Sequence, residues 1–125
     1  MIYSFKKFNE QKSENYAYHI TNRKNLNSIK EKGLLVNTPS YKDNVSDIKG
    51  IHLFETIEDA EESIGGWFGK RAEEWEERTG EVFFEVILRV DLTGLENKLK
   101  RIVENEIICL VDIDPSRIDA VFNPY

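Results

Sequence analysis

The side chains best suited to chemistry in this sequence lie at the ends of predicted β-strands. The chain has two histidines, His19 in "YAYHIT" and His52 in "GIHLFET". Two glutamates, Glu104 and Glu106, lie just before the apolar run "IICLV". A carboxylate at the start of such a strand is either a solvated first residue or a group that points into a cleft. Each histidine is likewise either a satisfied residue of a sheet or a working group at a strand tip, and the pattern alone leaves both interpretations open.

Several other catalytic and metal-binding patterns are absent from the sequence. Gly65, Gly66 and Gly69 lie in a helical pattern and fit no phosphate-binding fingerprint. There is no HExxH, CxxC or carboxylate–histidine spacing of the kind that binds metals, so we expect no metal site. No serine lies on a strand-to-helix elbow of the type that Ser-His-Asp enzymes use.

The elements around His19 follow from local patterns. "YAYHIT" alternates as a strand does, which places Tyr18 and Ile20 on one face and His19 and Thr21 on the other. Thr21 or Asn22 can then cap a short helix, since both residue types are favoured at that position. His19 is therefore predicted to lie near the end of a strand, just before a helix.

The middle of the chain predicts a loop, a strand and helices. Gly33 ends the first helix, and residues 36–49 form a polar loop of a length that is uncommon in compact domains without a function. "GIHLFET" is a short strand, and Thr56 then begins a variant capping box. Apolar residues recur at helical spacing up to Trp75, and the two glycines at 65–66 can split this stretch into two helices.

The last third of the chain predicts mostly strands. "EVFFEVILRVDLTGL" alternates most clearly, and "EIICLVDI" and "RIDAVFNPY" are further strands. "ENKLKRIVEN" is predicted to be a short helix or a polar connection, and "DPSRI" a turn. With helices early and strands late, the fold class is α+β, built on antiparallel sheet.

Composition limits the classes of function. The chain has 125 residues, of which 40% are hydrophobic and 32% charged, so we expect one globular domain spanning residues 1–125. The formal net charge of −6 makes nucleic acid a less favoured partner. No apolar run approaches the roughly 20 residues of a membrane span. The lone Cys109 and the lack of a signal peptide favour the cytoplasm.

In order and spacing, these segments resemble the ADP-ribosyltransferase-like fold, as in DarT-type toxins and RNA 2′-phosphotransferases. "YHITNRKNLNSIKEKGL" resembles the first motif of that fold, a strand ending His-x-Thr before a helix. "GIHLFETIEDAEES" resembles the second motif, and "FFEVILRVDLTGL" and "EIICLVDIDPSRI" resemble the later strands. The resemblance implies a split antiparallel sheet core with two to three helices.

The resemblance also implies roles for individual residues. His19 would hydrogen-bond the ribose next to nicotinamide, while the backbone of Ile20 and Thr21 would hold the carboxamide. His52 stands where the family usually has tyrosine, so Phe54, or Tyr41 in the loop, could supply the aromatic ring instead. The residues that the resemblance implies to bind NAD are therefore His19, Ile20, Thr21, His52, Phe54 and Tyr41. Glu106 would be the catalytic carboxylate, with Glu104 as the competing assignment.

The reaction that this implies suits such residues. Cleaving the nicotinamide–ribose bond of NAD builds positive charge on the ribose, as in glycoside hydrolysis. A carboxylate near the ribose stabilises that charge, and a histidine can fix the sugar from another side. NAD would be consumed as a substrate rather than held as a cofactor.

Two functions therefore follow from the resemblance. The first is a small mono-ADP-ribosyltransferase, a glycosyltransferase that acts on a protein or a small molecule, with the toxins and phage–host conflict proteins of this fold as an analogy. The second is a catalytically inactive module of the same fold that binds or inhibits a protein partner. The substitution of histidine for tyrosine at position 52 motivates the second function.

Overall fold

We describe the protein from a computed structural model, which covers residues 15–36 and 50–122. The described strands and helices are β1 (Tyr16–Asn22), α1 (Leu26–Lys32), β2 (Ile51–Phe54), α2 (Ile57–Ile64), α3 (Trp67–Thr79), β3 (Glu85–Asp91), β4 (Leu99–Val103), β5 (Glu106–Cys109) and β6 (Ile118–Phe122). Short 3-10 turns span Arg23–Asn25, Glu96–Lys98 and Pro115–Arg117.

The six strands form one sheet in the order β4-β5-β2-β1-β3-β6, and every neighbouring pair is antiparallel. The predicted α+β class is thereby confirmed, with three α-helices in the described part of the chain. Although β1 comes first in the chain, it lies in the middle of the sheet. The strands that carry the three candidate segments, β1, β2 and β5, are consecutive neighbours in the sheet.

Each face of the sheet has its own apolar core. On one face, which we call the α2–α3 face, Ile20, Phe54 and Ile87 pack under α2 and α3. On the other face, the α1 face, Leu53 and Leu88 belong to a cluster that includes Ile29 of α1. Because both faces of the sheet are covered, the sequence of β3 is almost continuously apolar. Ile87 is buried on the α2–α3 face, and its neighbours Val86 and Leu88 are buried on the α1 face.

The two helices on the α2–α3 face begin and end as their sequence predicts. The Thr56 side chain accepts a hydrogen bond from the backbone N–H of Asp59, which caps α2. The glycines at 65–66 separate α2 from α3, so the predicted split into two helices is confirmed. Gly80 closes α3 in the left-handed conformation that favours glycine.

Two predictions about the elements were wrong. His19 was predicted near the end of a strand, but it is the middle residue of β1, which continues to Asn22 along its pairing with β3. The segment 99–103 is the edge strand β4, not a helix or a polar connection. Its pairing with β5 shifts register between Arg101 and Val103. This irregularity leaves Leu99 and Ile102 as the two half-buried positions, three residues apart, a spacing that resembles a helix more than a strand.

An isolated bridge joins the end of α1 to the segment after β5. Leu34 and Ile113 exchange both backbone hydrogen bonds, at 2.9 and 2.8 Å. Gly33 has a φ of 80°, and a Cβ atom there would lie 2.0 Å from the carbonyl oxygen of Ile113. Only glycine allows the chain to leave α1 and approach Ile113 this closely.

No helix in residues 15–36 and 50–122 is both long and apolar enough to cross a membrane.

We predict that Gly33→Ala destabilises the protein far more than Gly80→Ala. Both glycines have positive φ, but no atom lies within 4 Å of a Cβ built on Gly80. Gly80→Ala should therefore cost roughly 1 kcal/mol of the free energy of unfolding, the penalty of the left-handed backbone alone. Gly33→Ala adds a backbone clash and should cost about 3 kcal/mol or more. Urea unfolding followed by tryptophan fluorescence measures both losses, and equal losses would contradict the role given to the bridge.

Candidate functional site

The candidate site lies where β1 and β2 separate. All seven residues of β1 pair with β3, but only Tyr18 pairs with a residue of β2, namely Phe54. Within the described residues, His19 to Asn22 therefore have no partner strand on the β2 side. We call this opening between the two strands the β1–β2 gap.

The ring of His19 bridges the β1–β2 gap. Its Nδ1–H donates to the backbone carbonyl oxygen of His52 across 2.9 Å. A carbonyl can only accept, so Nδ1 must carry the proton and, in the neutral ring, Nε2 is left as an acceptor. The contact thus fixes both the orientation of the imidazole and its tautomer.

His19 stays neutral near physiological pH. Burial lowers the pKa of His19 below its usual value of 6.5, and the hydrogen bond to the carbonyl of His52 opposes this only in part. A neutral imidazole with Nε2 unprotonated can accept a hydrogen bond from a hydroxyl group, such as that of a sugar.

The backbone beyond His19 offers further polar groups. Thr21 is 3% exposed, and its hydroxyl oxygen accepts a hydrogen bond from the side-chain amide of Asn25 at 3.2 Å. Ile20 packs its side chain into the core on the α2–α3 face. The backbone groups of these two residues point to opposite sides of β1. Arg23 donates to Phe84 and Asn15 accepts from Leu92, so alternate residues of β1, Thr21 among them, direct their N–H and C=O groups to β3. The backbone of Ile20 faces the β2 side, whereas the contact implied for the backbone of Thr21 is not available there. An unpaired strand edge can bind an amide as it would bind another strand.

The structure separates the two competing glutamates. Glu104 is exposed in the turn that links β4 to β5, whereas Glu106 is half-buried and is the first residue of β5. Glu106 lies directly opposite Phe54 in the β2–β5 pair, which places it on the α2–α3 face. By position, Glu106 is the glutamate held within the sheet.

The predicted residues do not all share one side of the sheet. His52, Phe54 and Glu106 lie on the α2–α3 face, because directly opposed and alternate residues point the same way. His19 and Thr21 belong to the α1 face, as the alternation in "YAYHIT" predicted. The hydrogen bond brings the ring of His19 to the backbone of His52, not to its imidazole, and Glu106 lies two strands away, about 10 Å by strand spacing.

The aromatic candidates differ in their surroundings. Phe54 is 6% exposed, and its ring lies 6.0 Å from that of Trp67 at the start of α3. It therefore serves the core and presents little surface for a ligand to stack on. Tyr41 lies outside the described residues, as does most of the predicted loop.

Sequence reasoning missed two residues next to Glu106. Arg101 of β4 and Glu55 at the end of β2 form a two-pronged ion pair, with nitrogen–oxygen distances of 2.8 and 2.5 Å. Nothing in the sequence indicates this pair, because Arg101 and Glu55 are 46 positions apart.

No described group of three or more histidine, cysteine or acidic side chains is arranged to hold a metal ion. No protein-family model matches the chain, and no curated protein is significantly similar to it in sequence. The site must therefore be interpreted from its own geometry.

We predict that His19 makes the protein less stable in mild acid. The unfolded histidine takes up a proton near pH 6.5, whereas burial holds the folded pKa of His19 lower, so the unfolded state binds more protons as the pH falls. The free energy of unfolding should therefore fall from about pH 7.5 to about pH 5.5. His19→Asn keeps a donor for the His52 carbonyl but does not titrate, and should flatten this slope.

Urea unfolding at several pH values measures the slope for both proteins. Nitrogen-15 NMR of the ring tests the same point directly, since it reports which nitrogen carries the proton. A His19 ring that titrates at or above pH 6.5, or that carries its proton on Nε2 when neutral, would contradict this account.

Proposed function

We propose that this protein is a small NAD-consuming ADP-ribosyltransferase that cleaves the nicotinamide–ribose bond and transfers ADP-ribose to a protein or small-molecule acceptor. The observation that carries the proposal is the His19–His52 contact in the β1–β2 gap. It places an oriented, neutral imidazole beside the segment of β1 that, among the described residues, is paired to no residue of β2. The resemblance of the surrounding sequence to ADP-ribosyltransferase motifs supports the same function.

The β1–β2 gap suits a ligand that carries both an amide and sugar hydroxyls. The backbone N–H and C=O groups of Ile20, which face the β2 side, can hydrogen-bond a carboxamide, as strand edges bind peptide groups. Nε2 of His19 can accept a hydrogen bond from a ribose hydroxyl close by. Nicotinamide riboside, the reactive half of NAD, carries these two features side by side.

Glu106 supplies the charge that the reaction needs. As the C1′–nitrogen bond breaks, its electron pair passes to the nicotinamide nitrogen and positive charge develops on the ribose. The carboxylate of Glu106, two strands from His19, would stabilise that charge and accept a hydrogen bond from the 2′-hydroxyl. The acceptor's nucleophilic atom then bonds to C1′ and releases its proton to solvent.

The overall charge bears on the acceptor. A chain with a formal net charge of −6 repels polyanions over its mean surface, which favours a protein or a small molecule over nucleic acid. Adding salt should therefore change the transfer rate to a nucleic acid far more than the rate of nicotinamide release to water.

We predict that Glu106→Gln abolishes most nicotinamide release but leaves NAD binding nearly intact. Removing one preorganised electrostatic group lowers the rate of such a step by about 100-fold or more. His19→Ala should instead weaken NAD binding by about tenfold, because it removes a ribose contact. Isothermal titration gives the affinity, and chromatography of released nicotinamide gives the rate.

Glu104→Gln is the matched control for Glu106→Gln. It removes the same charge two residues away, in the exposed turn, and should behave like the wild type. A wild-type protein that neither binds NAD nor releases nicotinamide would refute the proposed function, as would equal activities of the wild type and Glu106→Gln.

A second function is favoured by one specific observation. His19 and Glu106 belong to opposite faces of the sheet, an arrangement that suits binding better than joint catalysis on one ribose. On this interpretation the chain is an inactive ADP-ribosyltransferase-like module that binds a protein partner.

We predict that a partner of such a module would remain bound when the NAD residues are changed. A stable complex that survives the double variant His19→Ala/Glu106→Gln, measured by size-exclusion chromatography with light scattering, would favour the binding module. Loss of the complex in the double variant alone would assign the partner to the NAD site and favour the enzyme, because the partner would then be an acceptor.

A further inference from the structure

Glu106 begins β5 directly after a tight turn, and that turn is tied to the end of β2. The backbone N–H of Glu55, the residue after β2, donates to the carbonyl oxygen of Asn105 at 3.1 Å. The side chain of Glu55 also binds the guanidinium of Arg101 through both carboxylate oxygens. The segment that leads into Glu106 is thus held by Glu55 through its backbone and its side chain.

The shape of this turn is unusual in two ways. Asn105 has a φ of 72°, the one positive φ among non-glycine residues in the described part of the chain. The β4–β5 pairing also shifts register between Arg101 and Val103, four residues before Glu106 begins to pair with β2. Bulges and left-handed residues redirect side chains and are common beside functional sites.

The geometry of the Glu55–Arg101 pair distinguishes it from an ordinary surface ion pair. Exposed ion pairs usually contribute little to stability, because water screens them and holding two long side chains costs entropy. Two parallel N–H to oxygen bonds between a planar guanidinium and a carboxylate fix direction as well as distance. The side chains are 54% exposed for Arg101 and 35% for Glu55, so the pair is better suited to fixing geometry than to adding stability.

The Glu55–Arg101 ion pair also persists at neutral and mildly acidic pH. The hydrogen bonds from Arg101 hold the pKa of Glu55 below its usual value. Glu55 therefore remains ionised at neutral and mildly acidic pH, and the two-pronged contact is lost only when the carboxylate is protonated in stronger acid.

We propose that Glu55 and Arg101 are positioning residues that hold the β4–β5 turn so that the carboxylate of Glu106 is fixed at the start of β5. This inference rests on the proposed function for its catalytic consequence, but its structural part stands apart from it. Displacing a catalytic group by about 1 Å can cost about 100-fold in rate, so a contact one turn away can control the reaction.

The test uses three changes to the pair in the full-length protein. Arg101→Ala removes the ion pair. Arg101→Lys keeps the positive charge but cannot form two parallel hydrogen bonds to the carboxylate. The double variant Glu55→Arg/Arg101→Glu exchanges the two partners. Lys24→Ala is the matched control, because Lys24 and Glu81 form an exposed ion pair of the same 2.5 Å length next to β1. Steady-state nicotinamide release and carbon-13 NMR of the labelled Glu106 carboxylate are measured for each.

We expect Arg101→Ala to lower kcat for nicotinamide release by about tenfold while KM for NAD changes less than about twofold, since the substrate contacts at the β1–β2 gap are untouched. Arg101→Lys should recover little of this loss, and the reversed pair should recover most of it. The carboxylate signal of Glu106 should move or broaden in Arg101→Ala and return in the reversed pair. Lys24→Ala should leave both readouts at wild-type values.

An unchanged Glu106 signal in Arg101→Ala overturns the inference, as does equal loss of activity in Arg101→Ala and Lys24→Ala. A purely stabilising role would lower the free energy of unfolding with no change in kcat at a temperature where each variant is folded, and this outcome also overturns it. If the wild type releases no nicotinamide, the proposed function fails. The NMR signal of Glu106 then still decides whether Arg101 positions that residue.

Discussion

The pairing of β1 with β3 governs the rest of the structure. Every residue of β1 is matched to β3, while only Tyr18 is matched to β2. Since β1 lies in the middle of the sheet, the place where residues 15–36 and 50–122 show no pairing between β1 and β2 is inside the sheet rather than at its rim. The contact between the His19 ring and the His52 carbonyl then substitutes a side chain for part of the missing backbone ladder.

This substitution places a titratable group where a sheet normally has only amides. A ring nitrogen that replaces a backbone donor is locked in direction, and burial keeps the ring uncharged. An oriented acceptor beside a segment of β1 that has no β2 partner among the described residues can accept a hydrogen bond from a polar ligand. The β1–β2 gap is therefore the part of the described fold where we place the candidate binding site.

Much of the architecture was predictable because it depends on local patterns. The faces of β1 followed from alternation, and the division between α2 and α3 followed from the glycines at 65–66. The edge strand β4 was not predictable, because a bulge replaced alternation with the spacing of Leu99 and Ile102. Periodicity is informative only while the register is regular.

The candidate residues could be proposed from the sequence, but their arrangement in the sheet could not. His19, His52 and Glu106 were selected because the sequence predicts each of them at a strand end, but only Glu106 begins its strand, since His19 is the middle residue of β1 and His52 the second residue of β2. Which residues face each other across the sheet depends on the pairing of β1, β2 and β5, and the sequence of each strand alone carries no such information. The Glu55–Arg101 pair was missed for the same reason.

The bridge between Leu34 and Ile113 has a consequence for how the chain acquires its structure. It joins residues 79 positions apart, and β1 likewise waits for β3, more than 60 residues later, before it gains its main partner. Forming such long-range pairings first costs the conformational entropy of closing a large loop, and the stabilising contacts come only afterwards, which slows folding. During synthesis the first strand and α1 would therefore emerge with their apolar faces uncovered, and this interval is when the chain is most exposed to aggregation or to help from a chaperone.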